Sequence, residues 1–243
     1  MTATLAILAS WRLKLCDKTS RVKLTRLLAL TLFLSAFLLF CCQPMVGKMV
    51  LPLLGGAASV WTTCVLFFQA MLLVGYFYAH VLGKLSSLRN QTFVHLALMA
   101  IAFAFLPIRF GSQALPEGGG DPVVWQLFQL VRSVAVPFFV ISTTAPLLQS
   151  WFSRTSDPEA RDPYFLYAAS NVGSLLALIL YPFVFEPALG VATQSGWWSV
   201  GYGLLLLLFL LLAAMFWRAP LQPTAAAPAS ASHRLLPQGP TPA

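Results

Sequence analysis

The chain has 243 residues, of which 58% are hydrophobic and only 9% charged, and its mean hydropathy is +0.79. A soluble domain carries about a quarter charged residues, so the composition excludes an ordinary water-soluble fold and points to lipid as the solvent. The net charge of +8 does not mark a nucleic-acid binder, because the basic residues cluster at the ends of apolar runs, where they meet anionic lipid and orient helices.

Residues 1–26 form a basic N-terminal segment. Its apolar stretch, 5–11, is short and is followed rather than preceded by positive charge, unlike a secretory signal. It predicts a short interfacial helix with Trp11 at the headgroups. Six apolar segments follow, at 27–53, 59–82, 92–108, 123–151, 163–187 and 194–217. At about 20 residues per crossing, they predict an all-α integral membrane protein, a six-helix transmembrane bundle over 27–218. Pro44 and Pro52 in the first segment, and Pro137 and Pro146 in the fourth, mark places for kinks. Asp121-Pro122 and Asp162-Pro163 each read as an N-cap followed by proline at the first helical position. The stretch from Arg109 to Asp121, with Gly118, Gly119 and Gly120, reads as a loop. Residues 219–243, rich in proline and alanine, lack the apolar content to fold.

Twelve basic residues fall on one side of such a bundle: Arg12, Lys14, Lys18, Arg21, Lys23, Arg26, Lys84, Arg89, Arg154, Arg161, Arg218 and Arg234. Arg109 alone falls in the opposite loops, while Lys48 and Arg132 lie within spans. The positive-inside rule then predicts an inner-membrane protein with both termini in the cytoplasm.

Polar residues inside the spans are the informative ones, because hydrocarbon offers them no partners. Lys48 and Glu186 fall at similar depth near the ends of spans one and five. They either snorkel separately to headgroups or pair across the bundle beside a cavity. Thr62, Gln69 and Tyr76 share a helix face at seven-residue steps, as do Tyr164, Tyr167, Asn171 and Ser174 at three- and four-residue steps. Ala169 with Gly173, and Ser170 with Ser174, have the spacing that lets helices approach closely. Gln43 beside Pro44, and Gln149 after Pro146, sit where kinked helices expose backbone groups.

Other signals point away from chemistry. Cys41, Cys42 and Cys64 lie in apolar runs as small hydrophobes, and with Cys16 they show neither C-x-x-C spacing nor histidine pairing. His80 and His95 stand alone and read as structural. No phosphate loop, dinucleotide fingerprint, nucleophile elbow or zinc-protease motif is present, so neither cofactor nor metal is expected.

Two stretches, SAFLLFCCQPMVGKMVLPLLGGAASVWTTCVLFFQAMLLVGYFYAH from Ser35 to His80 and PFFVISTTAPLLQSWFSRTSDPEARDPYFLYAASNVGSLLALILYPFVFEPALG from Pro137 to Gly190, resemble the membrane region of the bacterial fused MFS/spermidine synthases. In that family a multi-span, transporter-like module precedes a soluble aminopropyltransferase-like domain. The resemblance covers about residues 27–218 and implies an MFS-like half as one form of the bundle. Gln43, Lys48, Trp61, Gln69, Asp162, Tyr164, Tyr167, Asn171 and Glu186 fall at its motif positions. The synthase-like part would need a Rossmann-type fold with a Gly-rich loop, which this sequence lacks. The expectation is therefore a non-enzymatic module that binds or passes a small solute, with Gln43, Lys48, Gln69, Tyr164, Tyr167, Asn171 and Glu186 as candidate contacts. The alternative is an anchor or scaffold in the lipid bilayer for a synthase-like partner or a second membrane half.

Overall fold

The computed structural model describes residues 2–85, 87–110, 121–155 and 163–218, with side chains from Val22 to Trp217, Leu85 apart. The Gly118–Gly120 loop, the Asp162 cap and the 219–243 tail lie outside the described residues. All regular structure among the described residues is helical. There are six rods: α1 (Thr2–Leu54), α2 (Ala58–Leu85), α3 (Leu88–Phe103), α4 (Pro122–Phe152), α5 (Tyr164–Ala188) and α6 (Val191–Arg218). Five of them are long and apolar enough to cross a membrane. The sixth, α3, has 16 residues, about 24 Å of helix, against a hydrocarbon core of roughly 30 Å.

Local chemistry sets the boundaries. No glycine or proline occurs between Thr2 and Gln43, so α1 runs unbroken for 53 residues. The separate interfacial helix expected at 5–11 is instead continuous with the first span. Helix α1 stops at Gly55, whose φ of +79° suits a residue without Cβ. Its N–H reaches back to the Leu51 carbonyl at 2.8 Å, a left-handed cap. Ser87 caps α3 by accepting from the Asn90 N–H at 3.5 Å. That helix starts earlier than expected and ends at Phe103, short of the predicted 108. Pro107 disfavours helix in the residue before it, and the chain leaves the helix two residues earlier still. The Asp121 carboxylate accepts from the Val123 N–H at 2.8 Å, with Pro122 opening α4 as the sequence predicts. At α5 the expectation is corrected: Pro163 is itself the cap and Tyr164 the first helical residue.

Prolines also loosen two helices. A π-helical turn, Val131–Ala135, precedes Pro137 in α4, and another, Tyr181–Phe185, contains Pro182 in α5. Proline removes an N–H from the ladder, and the wider turn absorbs the mismatch. Pro146, by contrast, lies within regular helix.

Helix α1 is the axis of the bundle, packing on α5 most extensively and also on α6, α4 and α2; α3 lies against α6 and α4. The lipid-type surface is apolar, with Leu73, Phe77, Phe183 and Val200 all exposed, while Gln91, His95, Gln126 and Gln194 are buried. That inversion suits a hydrocarbon surround, where buried partners are the only ones available. Helix α5 comes close to α1 at Gly173, where a Cβ would collide with the Phe33 backbone carbonyl. The small-residue spacing at Ala169 and Gly173 thus marks a real approach.

Gly173→Ala should destabilise the bundle by about 1–3 kcal/mol, read as a lower Tm in detergent. Gly196→Ala, where a Cβ meets open space, should leave Tm unchanged or slightly raised. Equal behaviour of the two variants would contradict the close approach.

Candidate functional site

Lys48 and Glu186 come together. The Lys48 Nζ lies 3.5 Å from Glu186 Oε1 and donates to the Glu186 backbone carbonyl at 3.1 Å. Both side chains are partly exposed, at 33% and 48%, so solvent or headgroups screen the pair. The backbone bond is available because Glu186 stands where the π-helical turn of α5 ends.

Next to this pair is a cleft of about 510 Å³ between α1, α5 and α6. Phe37, Cys41 and Met45 of α1 form its floor, Tyr181 and Phe185 of α5 one wall, and Trp198 of α6 the other. Lys48 follows Met45 by three residues and so lies one turn further along the same face. Glu186 follows Phe185 directly. The charges therefore lie just beyond the lining, on the side of the cleft nearest the α1–α2 and α5–α6 turns.

Polar atoms around the cleft are consumed by the protein itself. The Tyr181 hydroxyl donates to Gln194 Oε1 at 2.8 Å. Gln194 Nε2 donates to the carbonyls of Leu189 at 2.8 Å and Phe185 at 3.2 Å. The Trp198 indole donates to the Leu38 carbonyl at 2.9 Å. What remains on the lining is hydrocarbon, aromatic rings including the exposed Trp197 indole, the Met45 thioether and the Cys41 thiol. Such a wall holds an apolar body and offers no base or nucleophile pair. Among the described residues, no group of three or more His, Cys, Asp or Glu side chains could hold a metal ion.

The other candidate residues lie elsewhere. Gln43 is half-buried, and Gln69 is exposed on α2 beside exposed Thr62 and Tyr76. Tyr164 and Tyr167 are 76% and 50% exposed, and Asn171 is exposed on the same side of α5. The two predicted stripes are real faces, but both turn outward, away from the cleft. None of the seven candidates lines the cleft; Lys48 and Glu186 alone neighbour lining residues in the chain, one turn beyond Met45 and directly after Phe185.

Buried amides that the sequence does not single out hold helix to helix. Gln194 ties the α5–α6 turn together. Gln126 donates to the Val60 carbonyl at 2.8 Å and to Cys64 Sγ at 3.1 Å. Gln91 accepts from the Trp151 indole at 2.7 Å. His95 is fully buried, with Nε2 3.3 Å from Thr144 Oγ1 and Nδ1 without a partner. Gln126 lies within an apolar run and Gln91 and Gln194 at the edge of one, whereas Gln43 and Gln69, which the sequence singles out, lie well inside theirs. His95 is the one of these that the sequence reads as structural.

A double-mutant cycle on Lys48→Met and Glu186→Gln tests the pair through thermal stability in detergent. Their partial exposure sets the expected coupling below about 1 kcal/mol but above zero. Lys48→Met should cost more than Glu186→Gln, because only the first removes the bond to the backbone carbonyl. Strictly additive effects would mean that the two side chains do not interact.

No family model, curated protein or solved structure matches this chain.

Proposed function

We propose that this chain is a multi-pass inner-membrane module, without catalytic activity of its own, that binds a small apolar or amphiphilic solute between α1, α5 and α6. The observation that carries this reading is the 510 Å³ cleft, with the Lys48–Glu186 ion pair next to its lining residues Met45 and Phe185 in the chain. Its size lies within the range of small-molecule sites, which are concave, mostly apolar and marked by a few placed polar groups. The resemblance of 35–80 and 137–190 to the membrane region of fused MFS/spermidine synthases supports a transporter-like role. A polyamine is a poor fit for this cleft, since its apolar walls offer nothing to a second or third ammonium group beyond the one that Glu186 could accept from. The Lys/Arg asymmetry supports an orientation with both termini in the cytoplasm.

A second reading, a scaffold for a synthase-like partner or a second helical half, draws on the outward polar face of α5. Tyr164, Tyr167 and Asn171 lie exposed there, and amides in membrane helices hydrogen-bond across helix pairs.

Two measurements test these readings. Reporter fusions after Arg89, Arg154 and Arg218 should report cytoplasm, and fusions near Gly119 the periplasm; a periplasmic C-terminus would overturn the orientation. Dodecanol should raise the Tm of purified protein, while spermidine should leave it unchanged. Gly201→Leu, which adds a side chain to the lining and displaces the Leu38 methyl that a Cβ there would meet at 2.8 Å, and Ala188→Phe at its rim should both abolish the dodecanol shift. An equal shift in both variants, or none in the native chain, would reject solute binding in the cleft.

A further inference from the structure

We propose that the cleft receives one acyl chain of a bilayer phospholipid whose headgroup carries both a phosphate and a primary ammonium, as in phosphatidylethanolamine. The inference rests on the cleft being a solute site and specifies its ligand.

Length is the first argument. On α1 the cleft runs from Leu34 to Met45, eleven residues, or roughly 16 Å at the helical rise. That is about half of a hydrocarbon core of roughly 30 Å, one leaflet's worth of chain. Access is the second argument. Helices α5 and α6 both pack on α1 but not extensively on each other, apart from the Gln194 bonds beside their turn. Val184 and Trp197 line the cleft while remaining exposed. A chain already in the bilayer can therefore enter sideways between α5 and α6, without leaving hydrocarbon.

Charge selects the headgroup. Just beyond the lining, one turn past Met45 and directly after Phe185, stand an ammonium and a carboxylate 3.5 Å apart, both partly exposed. A free fatty acid would bring its carboxylate to Lys48 and meet repulsion from Glu186. A headgroup bearing phosphate and ammonium matches both charges: its phosphate oxygens accept from Lys48, and its N–H groups donate to Glu186. Lys48 has three N–H donors, so it can serve a phosphate while keeping its bond to the Glu186 carbonyl. A quaternary ammonium has no N–H to give Glu186, and a glycerol headgroup has no cation.

The test is native mass spectrometry of the full chain in detergent. Dioleoyl-phosphatidylethanolamine, phosphatidylcholine, phosphatidylglycerol and oleate are supplied at equal mole fraction. The expected result is one retained phosphatidylethanolamine per chain, held roughly tenfold more tightly than the others, the worth of one charge-assisted hydrogen bond. Glu186→Gln should erase the preference over phosphatidylcholine while keeping a lipid bound. Lys48→Met should weaken all the phospholipids alike. Equal retention of all the lipids, a preference for oleate, or a phosphatidylethanolamine preference untouched by Glu186→Gln would overturn the inference. If dodecanol still stabilises the native chain and not Gly201→Leu, the cleft remains a solute site with a different ligand. Failure of both experiments would reject the site altogether.

Discussion

In hydrocarbon a buried side-chain N–H or O–H finds no water to accept its hydrogen bond, and this constraint governs the bundle. Side chains meet it by reaching across helix boundaries to main-chain oxygens. Gln126 of α4 reaches Val60 of α2. Trp198 of α6 reaches Leu38 of α1, and Tyr202 of α6 reaches Met99 of α3. Ser35 of α1 lies 3.4 Å from the Ile141 carbonyl of α4. Each of these bonds fixes the rotation of one helix against another more sharply than apolar contact does, because a slip of one residue leaves a polar atom stranded. Without a strong hydrophobic drive between helices in lipid, such bonds and the tight contact at Gly173 supply much of the specificity.

The same constraint explains why the cleft lies where it does. Pro182 disturbs α5 at its far end, and the π-helical turn that absorbs it moves the helix off the regular path it follows from Tyr164 to Leu180. Gln194 then bonds the carbonyls of Phe185 and Leu189, holding the turn while α5 and α6 stand apart below it. The cleft is the space left by that separation, floored by α1. Its apolarity follows from the satisfaction of Tyr181, Gln194 and Trp198 by other partners.

Much of this was legible in the sequence, for identifiable reasons. Apolar run length located every helix, and the Asp121-Pro122 pair gave the start of α4 because that cap is strictly local. Periodicity placed Thr62, Gln69 and Tyr76 on one face, and Tyr164, Tyr167 and Asn171 on another. It gave no direction for either face, since that depends on which side of α5 or α2 meets a neighbour. The Lys48–Glu186 contact spans 138 positions, and depth alone left it undecided. Gln194 sits at the very start of the sixth apolar run, where an amide reads as a boundary and its bonds to the Phe185 and Leu189 carbonyls leave no sequence signal. The end of α3 was misjudged because Leu106, Pro107 and Ile108 are apolar without being helical, pinned instead by Ser195 donating to the Ile108 carbonyl at 2.7 Å.

The shortness of α3 has an elastic consequence for the surrounding bilayer. About 24 Å of helix facing a core of roughly 30 Å leaves a mismatch of about 6 Å, to be absorbed by thinning lipid beside α3 or by drawing polar groups inward, at a fraction of a kcal/mol per Å. The other five rods impose no such demand, so the strain in the membrane is one-sided, concentrated where Ile101, Phe103 and Phe105 are exposed. A thin bilayer relieves that strain and a thick one aggravates it. The thickness of its membrane thus becomes a variable to which this fold is mechanically sensitive.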